Sequence, residues 1–151
     1  MNEPAENEAP VESDAPASEG LLDTSVVIAL RSLSPEELPE LPQISAITLA
    51  ELSVGPLVAT TESERSARQA VLQQAEADFV PIPFDASAAR VFGQVAASLR
   101  RSGRKTSARS YDAMIAAVAL ANGLPLYTAN PDDFEGIDGL QVHPVTATKS
   151  G

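Results

Sequence analysis

Residues 109–134 read RSYDAMIAAVALANGLPLYTANPDDF. This stretch predicts a helix, a tight reversal, a strand and an acidic loop, in that order. Asp112 stands where the helix begins, and Ala113, Ile115, Ala116, Ala117, Val118, Ala119, Leu120 and Ala121 follow it without a charge. A helix that is apolar nearly all round is a buried helix. Asn122-Gly123 supplies its left-handed stop, because glycine adopts positive φ at little cost. Leu124 to Thr128 is a short strand, and Asn130-Pro131-Asp132-Asp133 is a turn cluster at its C-terminal end. A carboxylate opening a buried helix and others just beyond a buried strand can lie near one another in space.

Working outward, the chain has 151 residues, enough for one domain, with 44% hydrophobic but only 4% aromatic content. Its core is therefore Ala, Val, Leu and Ile. No apolar run approaches the ~20 residues of a membrane span. The N-terminus has neither a basic start nor an apolar core, so it does not read as a secretory signal. The absence of cysteine excludes disulfides and thiolate metal sites and fits a reducing cytoplasm. A single histidine, His143, excludes a two-histidine metal site and reads as structural. Any chemistry must run on oxygen ligands.

The net charge of −11 is uneven. Residues 1–19 read as a disordered acidic tail and 147–151 as a second tail, leaving a folded domain over 20–146. Residues 21–151 hold 15 acids and 10 bases. Such a chain is not a passive nucleic-acid binder, since phosphate affinity comes from Lys and Arg. It does suit a site that recruits divalent cations.

The segment Gly20-Leu21-Leu22-Asp23-Thr24-Ser25 reads as a buried strand feeding a helix. Asp23 is either that helix's N-cap or a carboxylate delivered at a strand's C-terminal end, where open α/β sheets hold their sites. Gln43 to Ile47 reads as a strand and Thr48 as the head of a short helix ended by Gly55-Pro56. Glu51, three residues after Thr48, fits a capping box. Against that, it is the only charge between Glu40 and Glu62, and a solitary carboxylate in apolar sequence calls for a partner or a metal. Thr61 to Asp78 is an amphipathic helix with Ala67, Ala70, Val71 and Ala75 inward. Phe79 to Pro83 is an edge strand limited by prolines. Asp85 caps a helix over 86–101, and Leu140 to Val145 is a last strand. Arg100, Arg101, Arg104, Lys105 and Arg109 are half of all the bases. They read either as a solvated helix end or as a phosphate-gripping strip.

Helices alternating with buried strands predict a three-layer α/β/α domain with a mostly parallel central sheet of about five strands. Asp23, Glu51, Asp112 and the 130–133 loop can converge at one edge of such a sheet. Several carboxylates together repel unless cations intervene, and hard oxygen ligands point to Mg²⁺, with Mn²⁺ as a substitute.

Four segments, Leu22-Asp23-Thr24-Ser25, Ser45-Ala46-Ile47-Thr48-Leu49-Ala50-Glu51-Leu52, Tyr111-Asp112-Ala113-Met114-Ile115-Ala116-Ala117 and Thr128-Ala129-Asn130-Pro131-Asp132-Asp133-Phe134, resemble the signature blocks of PIN domains. Within that family they are most similar to the VapC-type toxins of bacterial toxin–antitoxin pairs. The resemblance spans about residues 20–146. It implies a Mg²⁺-dependent endoribonuclease that cuts structured RNA, is silenced by a cognate VapB-type antitoxin, and forms a homodimer. It implies Asp23 and Asp112 as main metal ligands, Glu51 as a third acid and Asp133 as the fourth. Thr24, Ser25 and Asn130 would support them, and Arg100, Arg101, Arg104 and Arg109 would contact the RNA backbone. Two rivals share parts of the pattern. One is phosphotransfer through an aspartyl phosphate at Asp23, which lacks the companion acids that dehalogenase-type and receiver-type sites use. The other is a non-catalytic RNA- or partner-binding module with a degenerate site.

Overall fold

In the computed structural model, residues 18–104 and 109–146 are described. Most of the acidic N-terminal segment, Lys105 and residues 147–151 lie outside them. The strands are β1 (Glu19–Leu22), β2 (Leu41–Gln43), β3 (Leu126–Thr128) and β4 (Val142–Pro144). The helices are α1 (Thr24–Ala29), α2 (Ala46–Val54), α3 (Glu62–Asp78), α4 (Ala86–Arg101) and α5 (Ser110–Ala121). The sheet order is β2-β1-β3-β4, and every pairing is parallel.

Successive residues of the two central strands feed opposite layers, as side-chain alternation requires. Leu21 and Leu126 join a core with Ala88, Val95 and Leu99 of α4 and the apolar residues of α5. Leu22 and Tyr127 join a second core with Val26, Val27, Leu52 and Ala75. Helix α5 is the buried element that its composition predicts: Ala113 and Ile115 to Ala119 have no exposed surface. Full burial of Ile115 and Val118 is worth about 1.5–3 kcal/mol each. Its stop is also as predicted, with Gly123 at φ +66°. Gly20 is required for a different reason. A Cβ there would stand 2.5 Å from the ring of Tyr127, which is itself buried between sheet and helices.

Several expectations are corrected. The sheet has four strands, because Phe79 to Pro83 contributes only one bridge, Ser45 to Ile82. Pro81 and Pro83 flank Ile82 and lack the N–H groups that a ladder needs. The second strand ends at Gln43, and the helix after it begins at Ala46, earlier than Thr48. Ser45 caps that helix by accepting the Thr48 N–H at 3.2 Å. Glu51 is therefore in the helix middle and outside any capping box. Helix α3 buries only Ala75. Ala67 and Ala70 are exposed and line an apolar groove of about 290 Å³ against Val27, Ile28 and Leu30 of the α1 segment. Asp85 caps α4 as expected, accepting the Ala88 N–H at 3.0 Å. His143 stacks on Tyr127 with ring centroids 4.6 Å apart, a structural position. Among the described residues no helix is long and apolar enough to cross a membrane.

Candidate active site

The chain leaves β1 for one neighbour, β2, and later returns to the other side of β1 as β3. The C-terminal ends of β1 and β3 thus flank a topological switch point, where open parallel sheets form their crevices. Asp23 follows β1 there, and Thr128 closes β3.

Asp23 is 4% exposed, and both of its carboxylate oxygens are held. Oδ1 accepts the Ser25 hydroxyl at 2.6 Å and the Val26 N–H at 3.1 Å, while Oδ2 accepts the Thr128 hydroxyl at 2.5 Å. The two sequence readings of Asp23 are thus compatible: it caps α1 and it stands at the switch point. Burial raises its pKa, against the lowering effect of those hydrogen bonds. Oδ2, bonded to the Thr128 hydroxyl, keeps a second lone pair for a further ligand. Ser25 also accepts the Ala129 N–H at 3.1 Å, and Thr128 accepts the Asn130 N–H at 2.9 Å. These bonds tie the turn after β1 to the turn after β3.

Glu51 projects from α2 onto the Thr24 hydroxyl, which donates to Oε1 at 2.5 Å. With that hydrogen committed, the Thr48 hydroxyl donates to Thr24 across 3.0 Å. Burial raises the Glu51 pKa, the Thr24 bond lowers it, and the nearby Asp23 charge raises it again. Asp112 lies in the first turn of α5. Its pKa is pushed up to about 6, first by burial and then by the charges of Asp133, Glu51 and Asp23, with Arg109 opposing. Acids from four separate segments therefore share one electrostatic neighbourhood, at Coulombic range rather than in ligand contact. Among the described residues no group of three acidic or histidine side chains, as they stand, is close enough to hold a metal ion. The donor set nevertheless suits one, being carboxylates only, mutually repelling and without sulfur or imidazole.

The fourth acid, Asp133, lies in the 3₁₀ turn Pro131–Phe134, where Phe134 is the buried anchor. Its Oδ1 is 2.6 Å from Arg109 Nη1. Asn130 precedes that turn, and Asp133 donates its own N–H to the Asn130 carbonyl at 3.0 Å. The basic strip is largely paired inside the molecule. Arg101 meets Asp138 at 2.6 Å, Arg104 meets Glu135 at 2.8 Å and Arg109 meets Asp133, so three arginines rung the 133–138 loop to the α4–α5 connection. Arg100 is exposed, with no ion pair among the described residues.

Sequence reasoning missed Thr48 and Thr128 as members of the site. Both are fully buried hydroxyls. A hydroxyl closing an otherwise apolar strand is the signal that could have found Thr128, since a buried hydroxyl needs a partner.

The PIN domain pattern matches residues 20–140. Over 130 residues the chain is 42% identical to a Mycobacterium tuberculosis protein named Ribonuclease VapC5, which covers 84% of this chain and 93% of that one. It is 35% identical over 99 residues to a Shigella flexneri protein named tRNA(fMet)-specific endonuclease VapC, which covers 65% of this chain and 70% of that one. Among solved structures it is similar to a chain of the VapBC-5 toxin–antitoxin complex of M. tuberculosis, at 39% identity and TM-score 0.75, covering 85% of this chain and 99% of that one. It is also similar to a chain of DNA-bound VapBC from Salmonella typhimurium, at 28% identity and TM-score 0.68, covering 85% and 98%.

Proposed function

This chain belongs to the PIN domain family and groups with its VapC ribonucleases, and from that premise we propose that it is a Mg²⁺-dependent endoribonuclease toxin that cleaves structured RNA and is held silent by a VapB-type antitoxin. The observation that carries this reading is the approach of acids from four segments: Thr24, next to Asp23, donates to Glu51, and Arg109 Nη1 faces both Asp112 and Asp133. Divalent-metal dependence is general among nucleases of this kind. Mg²⁺ is the choice that an all-carboxylate donor set favours.

Asp23, Glu51, Asp112 and Asp133 would hold the ion, which when bound orients and acidifies a water for in-line attack on a phosphodiester. The chain's own residues divide the remaining work. Ser25, Thr128 and the Val26 N–H fix the Asp23 carboxylate in one orientation. Glu51, steadied by the Thr24 hydroxyl, would bond the ion or its water. Arg109 stands at the cluster itself, and Arg100, Arg101 and Arg104 would add cations that offset an acidic chain's repulsion of RNA.

One relative is named for a tRNA target, which supports a structured RNA here. Solved neighbours that are toxin–antitoxin complexes support the antitoxin as partner. The groove between α1 and α3, with Ile28 60% exposed at its rim, offers a protein segment an apolar seat. The test is incubation of purified protein with total RNA, with and without EDTA, followed by end mapping. Discrete cuts with 5′-phosphate and 3′-hydroxyl ends that vanish with EDTA are expected. Intact RNA under Mg²⁺, or cleavage indifferent to EDTA, would reject the proposal.

A further inference from the structure

We propose that Arg109 is the built-in counter-cation of the acid cluster, whose guanidinium a divalent ion must displace from Asp133 and Asp112. This rests on the nuclease reading of the site. One nitrogen, Nη1, faces both carboxylates, at 2.6 Å from Asp133 Oδ1 and 3.9 Å from Asp112 Oδ2. The other two rungs of the ladder, Arg101 to Asp138 and Arg104 to Glu135, involve acids outside the cluster. Only the Arg109 rung occupies ligands that a metal would need.

Local preference does not explain an arginine at this position. Arg109 is the N-cap of α5 and makes no side-chain capping bond. N-caps favour Ser, Thr, Asp and Asn, and a cation at a helix N-terminus opposes the helix dipole. A residue that goes against both rules is held by its tertiary partner, here Asp133. Arg109 is also the opposing influence on the raised Asp112 pKa, so it already does in part what a cation in the site would do. The Arg109 side chain is 35% exposed and Asp133 36%, so the guanidinium can swing to solvent without repacking the core. Exchange has a further consequence. Once a dication takes Asp133, the released guanidinium stands beside the site with its donors free for a substrate phosphate. Metal occupancy and phosphate grip are thereby linked through one side chain.

The experiment is calorimetric titration of Mn²⁺ into the full chain, at low ionic strength, for wild type, Arg109→Gln and Arg109→Lys. If an ion pair worth roughly 1 kcal/mol must break, Arg109→Gln binds Mn²⁺ about 5- to 20-fold more tightly, the upper figure including relief of charge repulsion. Arg109→Lys keeps the charge and stays near wild type. Thermal scans give a second readout, in which Mn²⁺ raises the melting temperature more for Arg109→Gln than for wild type. Unchanged or weaker Mn²⁺ affinity in Arg109→Gln overturns the inference and makes Arg109 a positioning residue for Asp133. Absence of Mn²⁺ binding in all three proteins overturns the nuclease reading itself, and the inference with it.

Discussion

The two halves of the acid cluster are built on opposite principles. Around Asp23 the carboxylate is buried, and neutral donors hold it: two hydroxyls and a backbone N–H. Around Asp133 the carboxylate is a third exposed, on a short 3₁₀ turn, and a single guanidinium holds it. Neutral donors in a packed interior fix geometry without cancelling charge, so the Asp23 half keeps its pull on a cation. An ion pair near solvent cancels charge but is weak and exchangeable. One half is a fixed wall and the other an adjustable one, with Asp112 between them.

The sharpest way to break this arrangement is to remove a charge and leave the shape. Asp112→Asn and Asp23→Asn should each lower RNA cleavage on the order of a thousandfold, because several kcal/mol of transition-state stabilisation go with the ion. Their circular dichroism should remain that of wild type. Normal turnover by either variant removes that residue from the site.

Next in size is the hydroxyl scaffold of the fixed half. Thr128→Val deprives both Asp23 Oδ2 and the Asn130 N–H of a partner in the core. A cost of about 1–3 kcal/mol is expected, read from chemical denaturation. A loss as small as that of a surface pair would mean that Asp23 is not held as described.

The pH dependence separates the halves by the charge they leave uncancelled. Asp112 has its pKa raised to about 6, above the value of about 3.9 expected in the unfolded chain. Between those values the folded protein keeps a proton that the unfolded chain has lost. Metal-free stability should therefore fall as pH rises from about 4 to about 6, by roughly 2 kcal/mol, and not recover above it. The raised pKa values of Asp23 and Glu51 act in the same direction. Asp112→Asn should flatten this profile, and saturating Mg²⁺ should do so for wild type. A metal-free stability that rises through this window contradicts the account of the cluster.

The smallest effects belong to the outer rungs. Arg101→Ala and Arg104→Ala remove exposed pairs and should shift stability by no more than about 1 kcal/mol. If these arginines also meet RNA phosphates, each variant should reduce the salt dependence of RNA binding by about one unit of slope. An unchanged slope would restrict them to bracing the 133–138 loop.

Local chemistry in the sequence was enough to read much of this molecule. The uncharged run from Ala113 to Ala121 announced a buried helix because no face of it could meet water. Asn122-Gly123 announced its end because a left-handed residue is cheapest there. Asp23 and Asp112 stood out as candidates because one follows a strand end and the other lies in the first turn of a helix. Tertiary structure alone decided who holds each acid. Thr128 reaches Asp23 across 105 positions of chain only because β3 lies beside β1. Glu51 looked like part of a capping box until Ser45 took the cap and the helix began at Ala46. The arginines looked like a strip open to phosphate until the 133–138 loop folded back over them. Backbone preference is set by neighbours in sequence, whereas hydrogen-bond and ion-pair partners are set by strand order, which no local pattern encodes.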